Sequence, residues 1–125
     1  MSKEALKYSE DKPRLELVSP ALVEASAEVL GWAAKNKYPE YDWAVGQRYS
    51  RVFAALLRHL WAWWRGESFD EERGFNHLAH AACCLMFLLH YSRDKEGRYN
   101  QWDDRPFYSN IQVARNPSGQ EDSQT

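Results

Sequence analysis

His77 and His80 stand three residues apart, and Glu67, Asp70, Glu71 and Glu72 precede them in the run GESFDEERGFNHLAH. On an α-helix, residues i and i+3 project from the same side, so the two imidazoles can aim at one point. The acids come one or two turns earlier, and His59 adds a third imidazole from the preceding apolar stretch. His59, Asp70, His77 and His80, with Glu67 and Glu72 beside them, therefore make a candidate ring for a divalent ion. Carboxylates suit hard cations such as Mg²⁺ or Mn²⁺, and imidazole tilts the choice toward Mn²⁺, Zn²⁺ or Fe²⁺. Each residue also has a plain structural explanation. Acids in a first helical turn answer the helix dipole, and a single histidine most often completes a core boundary. The pattern lacks the specificity of HExxH or of paired CxxC motifs.

Arg48, Arg51, Arg58 and Arg65 recur with a 3–4 rhythm on the segment that carries His59. Such a stripe is usually a solvated face, yet guanidinium forks also grip phosphate. Beside a metal ring, they make a nucleoside triphosphate the natural cargo. Lys12 and Arg14, in KYSEDKPRLEL, add cations to a proline-stiffened segment that reads as a cover for a ligand or as a leader. Glu24 and Glu28 read as solvated acids, and Cys83 and Cys84 as core thiols among apolar neighbours.

Three helices must position these groups. Ser19 and Pro20 predict the start of the first, at N-cap and first helical position, with Leu22, Val29, Leu30 and Ala33 as its apolar stripe. The second is predicted from Gln47 to Arg65, with Phe53, Leu56, Leu57, Leu60, Trp61 and Trp64 as its apolar face and Gly66 closing it. The third is predicted to start at Ser68, in a capping box with Glu71, and to run to about His90. Its expected core face is Phe75, Leu78, Ala82, Leu85, Met86 and Leu89. A second stripe carries Asp70, His77, His80, Cys84 and Tyr91. No strand-like alternation occurs, so the fold class is all-α, a small helical bundle. Three such helices hide their apolar stripes poorly alone, so a fourth short helix or oligomerisation is expected.

Residues 1–18 read as a leader, 19–91 as the helical domain and 92–125 as a polar segment. The aromatic middle of that segment (Tyr99, Trp102, Phe107, Tyr108) is expected to fold back, and its last eight or so residues to be disordered. A length of 125 residues allows one domain, and a net charge of −2 gives no reason to expect nucleic acid. No window of about 18 residues is apolar enough for a membrane span. The N-terminus lacks a signal peptide's apolar core, and the unpaired cysteines fit a reducing, cytoplasmic setting. Six tryptophans and seven tyrosines suggest a packed aromatic core or surfaces on which rings stack.

The order KYSEDKPRLEL, then AAKNKY, then DW, then RYSRVFAALLRHLWAWWRGESFDEERGFNHLAHAACCLMFLL resembles the phage-associated dATP/dGTP diphosphohydrolases. These are related to the all-α, MazG-like nucleoside triphosphate pyrophosphohydrolases. The resemblance covers roughly residues 7–90 and is densest in RHLWAWWRGESFDEERGFNHLAHA. It implies a bundle that is usually dimeric or tetrameric and that cleaves purine dNTP to dNMP and pyrophosphate with Mg²⁺ or Mn²⁺. In a phage-infected cell this would act in the host cytoplasm on the nucleotide pool. The wider superfamily's ligands are ExxE and ExxD glutamates, whereas this chain has RHLWAWW and HLAH. Only His59, Glu67, Asp70, Glu72, His77 and His80 carry over as motif positions.

On the enzyme reading, the acid and histidine cluster holds metal, and Glu67 or Glu72 removes a proton from water. Arg51 and Arg58, with Lys12 and Arg14, hold phosphate charge, while Trp43, Tyr49 or Trp61 stacks on the base. Two other readings stay open: a protein that binds a nucleotide without cutting it, and a structural interaction module.

Overall fold

Where the chain carries apolar residues at helical spacing it is helical, and the computed structural model, which describes residues 11–106, has α1 (Ala21–Asn36), α2 (Tyr49–Trp64) and α3 (His77–Arg93). Short 3₁₀ turns lie at Leu15–Leu17, Asp42–Val45 and Asn100–Trp102, and no strand is present among the described residues. The fold is an all-α bundle. Residues 1–10 and 107–125, with Phe107, Tyr108 and the expected disordered end, lie outside the described part.

The end of α2 follows the sequence, and α1 starts one residue later than expected, with Pro20 rather than Ser19 at the N-cap. Pro20 caps α1, and the Ser19 hydroxyl accepts from the Ala21 amide at 3.2 Å. Gly66, at φ +99°, ends α2 in a Schellman motif: its amide reaches Trp63 O and that of Glu67 reaches Ala62 O. The start of α3 does not follow. Ser68 and Glu71 form no capping box, and the helix begins nine residues after Ser68, at His77. Asp70 diverts the chain. Its Oδ1 accepts from the amides of Arg73 and Gly74, its own amide donates to Phe75 O, and that of His77 donates to Ser68 O. Gly74 supplies the left-handed backbone at φ +75°, and Asn76 then caps α3 by accepting from Leu78 N at 2.7 Å.

The faces that meet are also not the ones expected. α2 and α3 run antiparallel and share a core of Tyr49, Val52, Leu56, Ala81, Cys84 and Tyr91, while Val29 of α1 packs on Ala79 and Cys83. Ala62, Ala79, Ala81, Ala82, Cys83 and Cys84 are all buried. These small side chains admit a close approach of helices, so the contact selects the narrow stripe. The bulky residues expected inside, Phe53, Leu57, Leu60, Trp61 and Trp64 on α2 and Leu78, Leu85 and Leu89 on α3, are exposed.

The segment after α3 folds back. Tyr91 donates to Trp43 O at 2.6 Å and accepts from Gln47, and Tyr99 donates to Ala44 O at 2.6 Å. Asp104 takes the Ser50 amide on Oδ1 at 2.9 Å and the Ser50 hydroxyl on Oδ2 at 2.5 Å, capping α2 from 54 residues away. No helix among the described residues is long and apolar enough to cross a membrane.

Candidate functional site

Asp70 is the first fixed point, because its two oxygens have separate duties. Oδ1 closes the turn before α3, and Oδ2 meets His80 Nε2 at 2.5 Å. Burial by itself would raise the carboxyl. The Arg73 amide, His80 and the Gly74 amide outweigh it and hold the group at about 2. Asp70 is thus an anion that orients one imidazole.

His80 stacks on His59 of α2 with centroids 4.5 Å apart and planes at 12°. His59 Nδ1 in turn lies 2.9 Å from His77 Nδ1. One of those two nitrogens must carry the proton and the other accept it, so both rings cannot be protonated there at once. Burial, followed by the charges of His80, His77 and Arg58, lowers His59 to about 4. The four residues grouped from the sequence therefore do converge.

Their donors, however, face one another. Both Asp70 oxygens have partners within the chain, and two of the imidazoles share one hydrogen bond. Among the described residues no group of three or more His, Cys, Asp or Glu side chains is set to hold a metal ion. As arranged, the cluster does not fit Mg²⁺ or Mn²⁺, which call for several free oxygens in regular geometry.

His59 and His80 open onto a cavity of about 670 Å³ between the second half of α1, the 37–47 loop and α3. Trp32, Tyr38 and Trp43 supply aromatic wall, and Lys37 and Glu72 the charged rim. Trp43 is held rigid by stacking on Phe87 at 5.4 Å and meeting His90 edge-on at 4.9 Å. Lys37 Nζ pairs with Glu72 at 2.9 Å and sits 5.3 Å from the Trp32 ring centroid. The Glu72 hydrogen bond is the main reason the ammonium's pKa is raised.

The other candidates are dispersed. Glu67 pairs with Arg65 at 3.3 Å and does not line the cavity. Arg51 and Arg58 are exposed on α2, and Lys12 and Arg14 lie in the exposed N-terminal stretch, Arg14 paired with Glu16 at 2.8 Å. Tyr49 is a core residue stacked on Tyr91 at 5.9 Å, and Trp61 lies on the exposed outer face of α2. Trp32, Lys37 and Tyr38 were not anticipated. The fragment KNKY, lying between a helix and a proline, was their available signal. Cys83 is pushed up to about 11 by burial and donates to Ser26 O, so it is an inert core thiol tying α3 to α1.

A sequence profile of the family described as dATP/dGTP diphosphohydrolase, N-terminal, matches residues 2–105. The chain belongs to this family. Within the dATP/dGTP diphosphohydrolase N-terminal family, the chain is 34% identical over 84 residues to a protein of Salmonella phage PMBT28 named dATP/dGTP diphosphohydrolase. That alignment takes in 67% of this chain and 28% of the phage protein, so the chain spans about a quarter of its relative's length. No solved structure matches. The family match covers α1 to α3 and the return segment as far as Arg105.

Proposed function

We propose that this family member handles the purine nucleotide of a dNTP diphosphohydrolase, in the reaction that converts dATP or dGTP to the monophosphate and pyrophosphate. The observation that carries the proposal is the cavity itself, whose lining combines the aromatic rings of Trp32, Tyr38 and Trp43 with Lys37, Glu72 and His80. A volume of about 670 Å³ suits a ligand of nucleotide size. Trp43, with Trp32 also in the lining, takes the base. Lys37 takes phosphate, exchanging its carboxylate partner for a more highly charged one. That exchange releases Glu72, leaving a carboxylate next to the phosphates to accept the proton of an attacking water. Asp70 keeps the His80 ring in place to hold or pass a proton. The triphosphate enters as its Mg²⁺ or Mn²⁺ salt, and the cation's charge neutralisation belongs to the substrate rather than to a cage in this chain.

A second reading, nucleotide binding without hydrolysis, is favoured by the mutual engagement of Asp70, His59, His77 and His80. One experiment separates the two. The purified chain is incubated with each dNTP and NTP, with Mg²⁺, Mn²⁺ or EDTA, and the products are separated by chromatography; binding of each nucleotide is measured in parallel by calorimetry. Conversion of purine dNTP to dNMP that EDTA abolishes supports hydrolysis. Binding without conversion supports the second reading, and neither binding nor conversion removes both.

A further inference from the structure

Trp43 stands in the loop between α1 and α2, and that loop has little of its own to hold it. Its 3₁₀ turn, Asp42–Val45, is closed by amides that reach three residues back, Ala44 N to Tyr41 O at 2.9 Å and Gly46 N to Trp43 O at 3.3 Å. Bonds of that kind have poor geometry, and 3₁₀ runs stay short for this reason. Left-handed backbone flanks the turn on both sides, at Tyr41 (φ +62°) and Gly46 (φ +120°). A tyrosine keeps such a conformation only where its surroundings impose it. The place of Trp43 is therefore set from outside the loop.

Two tyrosines set it. Tyr91, near the end of α3, donates its hydroxyl to Trp43 O at 2.6 Å, and Tyr99, in the return segment, donates to Ala44 O at 2.6 Å. Two successive carbonyls are thus held by two rings that also pack on each other, with centroids 4.7 Å apart. Tyr91 is 2% exposed, stacks on Tyr49 of α2 and accepts from Gln47 at 2.8 Å, so its hydroxyl has a fixed origin in the core. Burial is the main reason its pKa is raised, which keeps the hydroxyl a donor across the neutral range. Trp102 presses on the same loop. Its indole packs against Gly46, and its Nε1 is buried without a hydrogen-bond partner, so packing rather than hydrogen bonding places that ring. Phe87 and His90 contact the indole of Trp43; the tyrosines hold the backbone from which it hangs.

We propose that Tyr91 and Tyr99 are positioning residues for nucleotide binding, clamping the loop so that the Trp43 indole is already in place to stack on the base. The inference rests on the nucleotide reading above. It makes the segment after α3 part of the working site, although none of residues 94–106 is in the lining of the cavity. A ring fixed in the free protein binds more tightly than one that the ligand must order, because the ordering opposes association. The clamp therefore acts on ligands that carry a base, and not on the phosphate chain.

The test uses the full chain labelled with 5-fluorotryptophan, the Trp43 resonance being the one lost in Trp43→Phe. Tyr91→Phe and Tyr99→Phe each remove one hydroxyl and leave the ring. Each should shift or broaden the Trp43 resonance and weaken dATP about fivefold by calorimetry, and the double variant at least about 20-fold. Deoxyadenosine monophosphate should lose the same factor, whereas inorganic tripolyphosphate, which has no base, should bind as it does to the wild type. Asp104→Ala loosens the return segment at Ser50 rather than at the Trp43 loop, so it should lower the melting temperature and leave dATP binding unchanged. An unmoved Trp43 resonance in the tyrosine variants overturns the clamp, and so does dATP binding that stays at the wild-type value. Equal losses for dATP and tripolyphosphate, or a loss as large in Asp104→Ala, also overturn it, because the tyrosines would then only support the fold. A wild type that binds neither dATP nor its monophosphate overturns the nucleotide reading itself, an outcome distinct from wild-type binding that the variants leave unchanged.

Discussion

At His59, an imidazole is held where a positive charge is unwelcome, and this gives stability a definite pH dependence. Its folded value of about 4 lies below the ordinary 6.5, so the unfolded chain binds the proton more readily. The contribution is complete above pH 6.5 and is lost as pH falls toward 4. With partial exposure discounted, it amounts to on the order of 1–2 kcal/mol. The melting temperature should therefore decline across that interval, and His59→Gln should flatten the decline; an unchanged slope in the variant would assign it elsewhere. Asp70 titrates lower, its share being lost only from 3.8 down toward 2. Asp70→Ala strands the Arg73 and Gly74 amides and frees His80, at a cost of about 2 kcal/mol in chemical unfolding. Lys37→Met should weaken nucleotide binding roughly tenfold by calorimetry without lowering the melting temperature, because its pairing with Glu72 is at the surface. The three histidines and Asp70 were legible because two helices and one turn bring their spacing to a point. Lys37, a lone cation in a loop, belongs to no repeating pattern and became visible only beside Trp32 and the cavity.

Helices and turns divide into those specified by neighbours in sequence and those specified from afar. The closure of α2 at Gly66 is local, since each of its hydrogen bonds lies within five residues of its partner. The opening of α2 is not, because its capping carboxylate is Asp104. Asp104→Ala should cost about 1 kcal/mol, the usual worth of an N-cap. Hydrogen exchange should show the loss first at the amides of the opening turn of α2; uniform exchange along the helix would contradict the capping role. Gly46 links the same two segments. It sits at φ +120°, and an added Cβ would come within 2.2 Å of Trp102 Nε1. Gly46→Ala should lift the return segment from the core and expose Trp102, seen as a red shift in its fluorescence. For α3, Ser68 and Glu71 have the spacing of a capping box, yet Asp70 lies between them and can accept two amides at once. Sequence spacing alone does not weigh those competing uses of the first-turn amides; the Gly74 turn and the His80 contact do.

For the whole molecule, the chain's periodicity and local signals were enough to determine an all-α bundle of three helices, the ends of α1, the close of α2, and the shared helical side of His77 and His80. Those features depend on contacts within a few residues or on the 3.6-residue repeat, which one chain states in full. Tertiary structure alone decided how each helix is rotated about its axis. Apolar periodicity marks a stripe for burial but not the surface that buries it. In α2 and α3 the alanines and cysteines let the helices approach along the narrow stripe beside Leu56, and Trp61, Trp64, Leu57, Leu60, Leu78, Leu85 and Leu89 were left outside. The cavity follows from the same rotation, because turning His59 and His80 inward puts them in one lining with Trp43 and Lys37. That outcome depends on the volumes of side chains far apart in sequence, which no local pattern encodes.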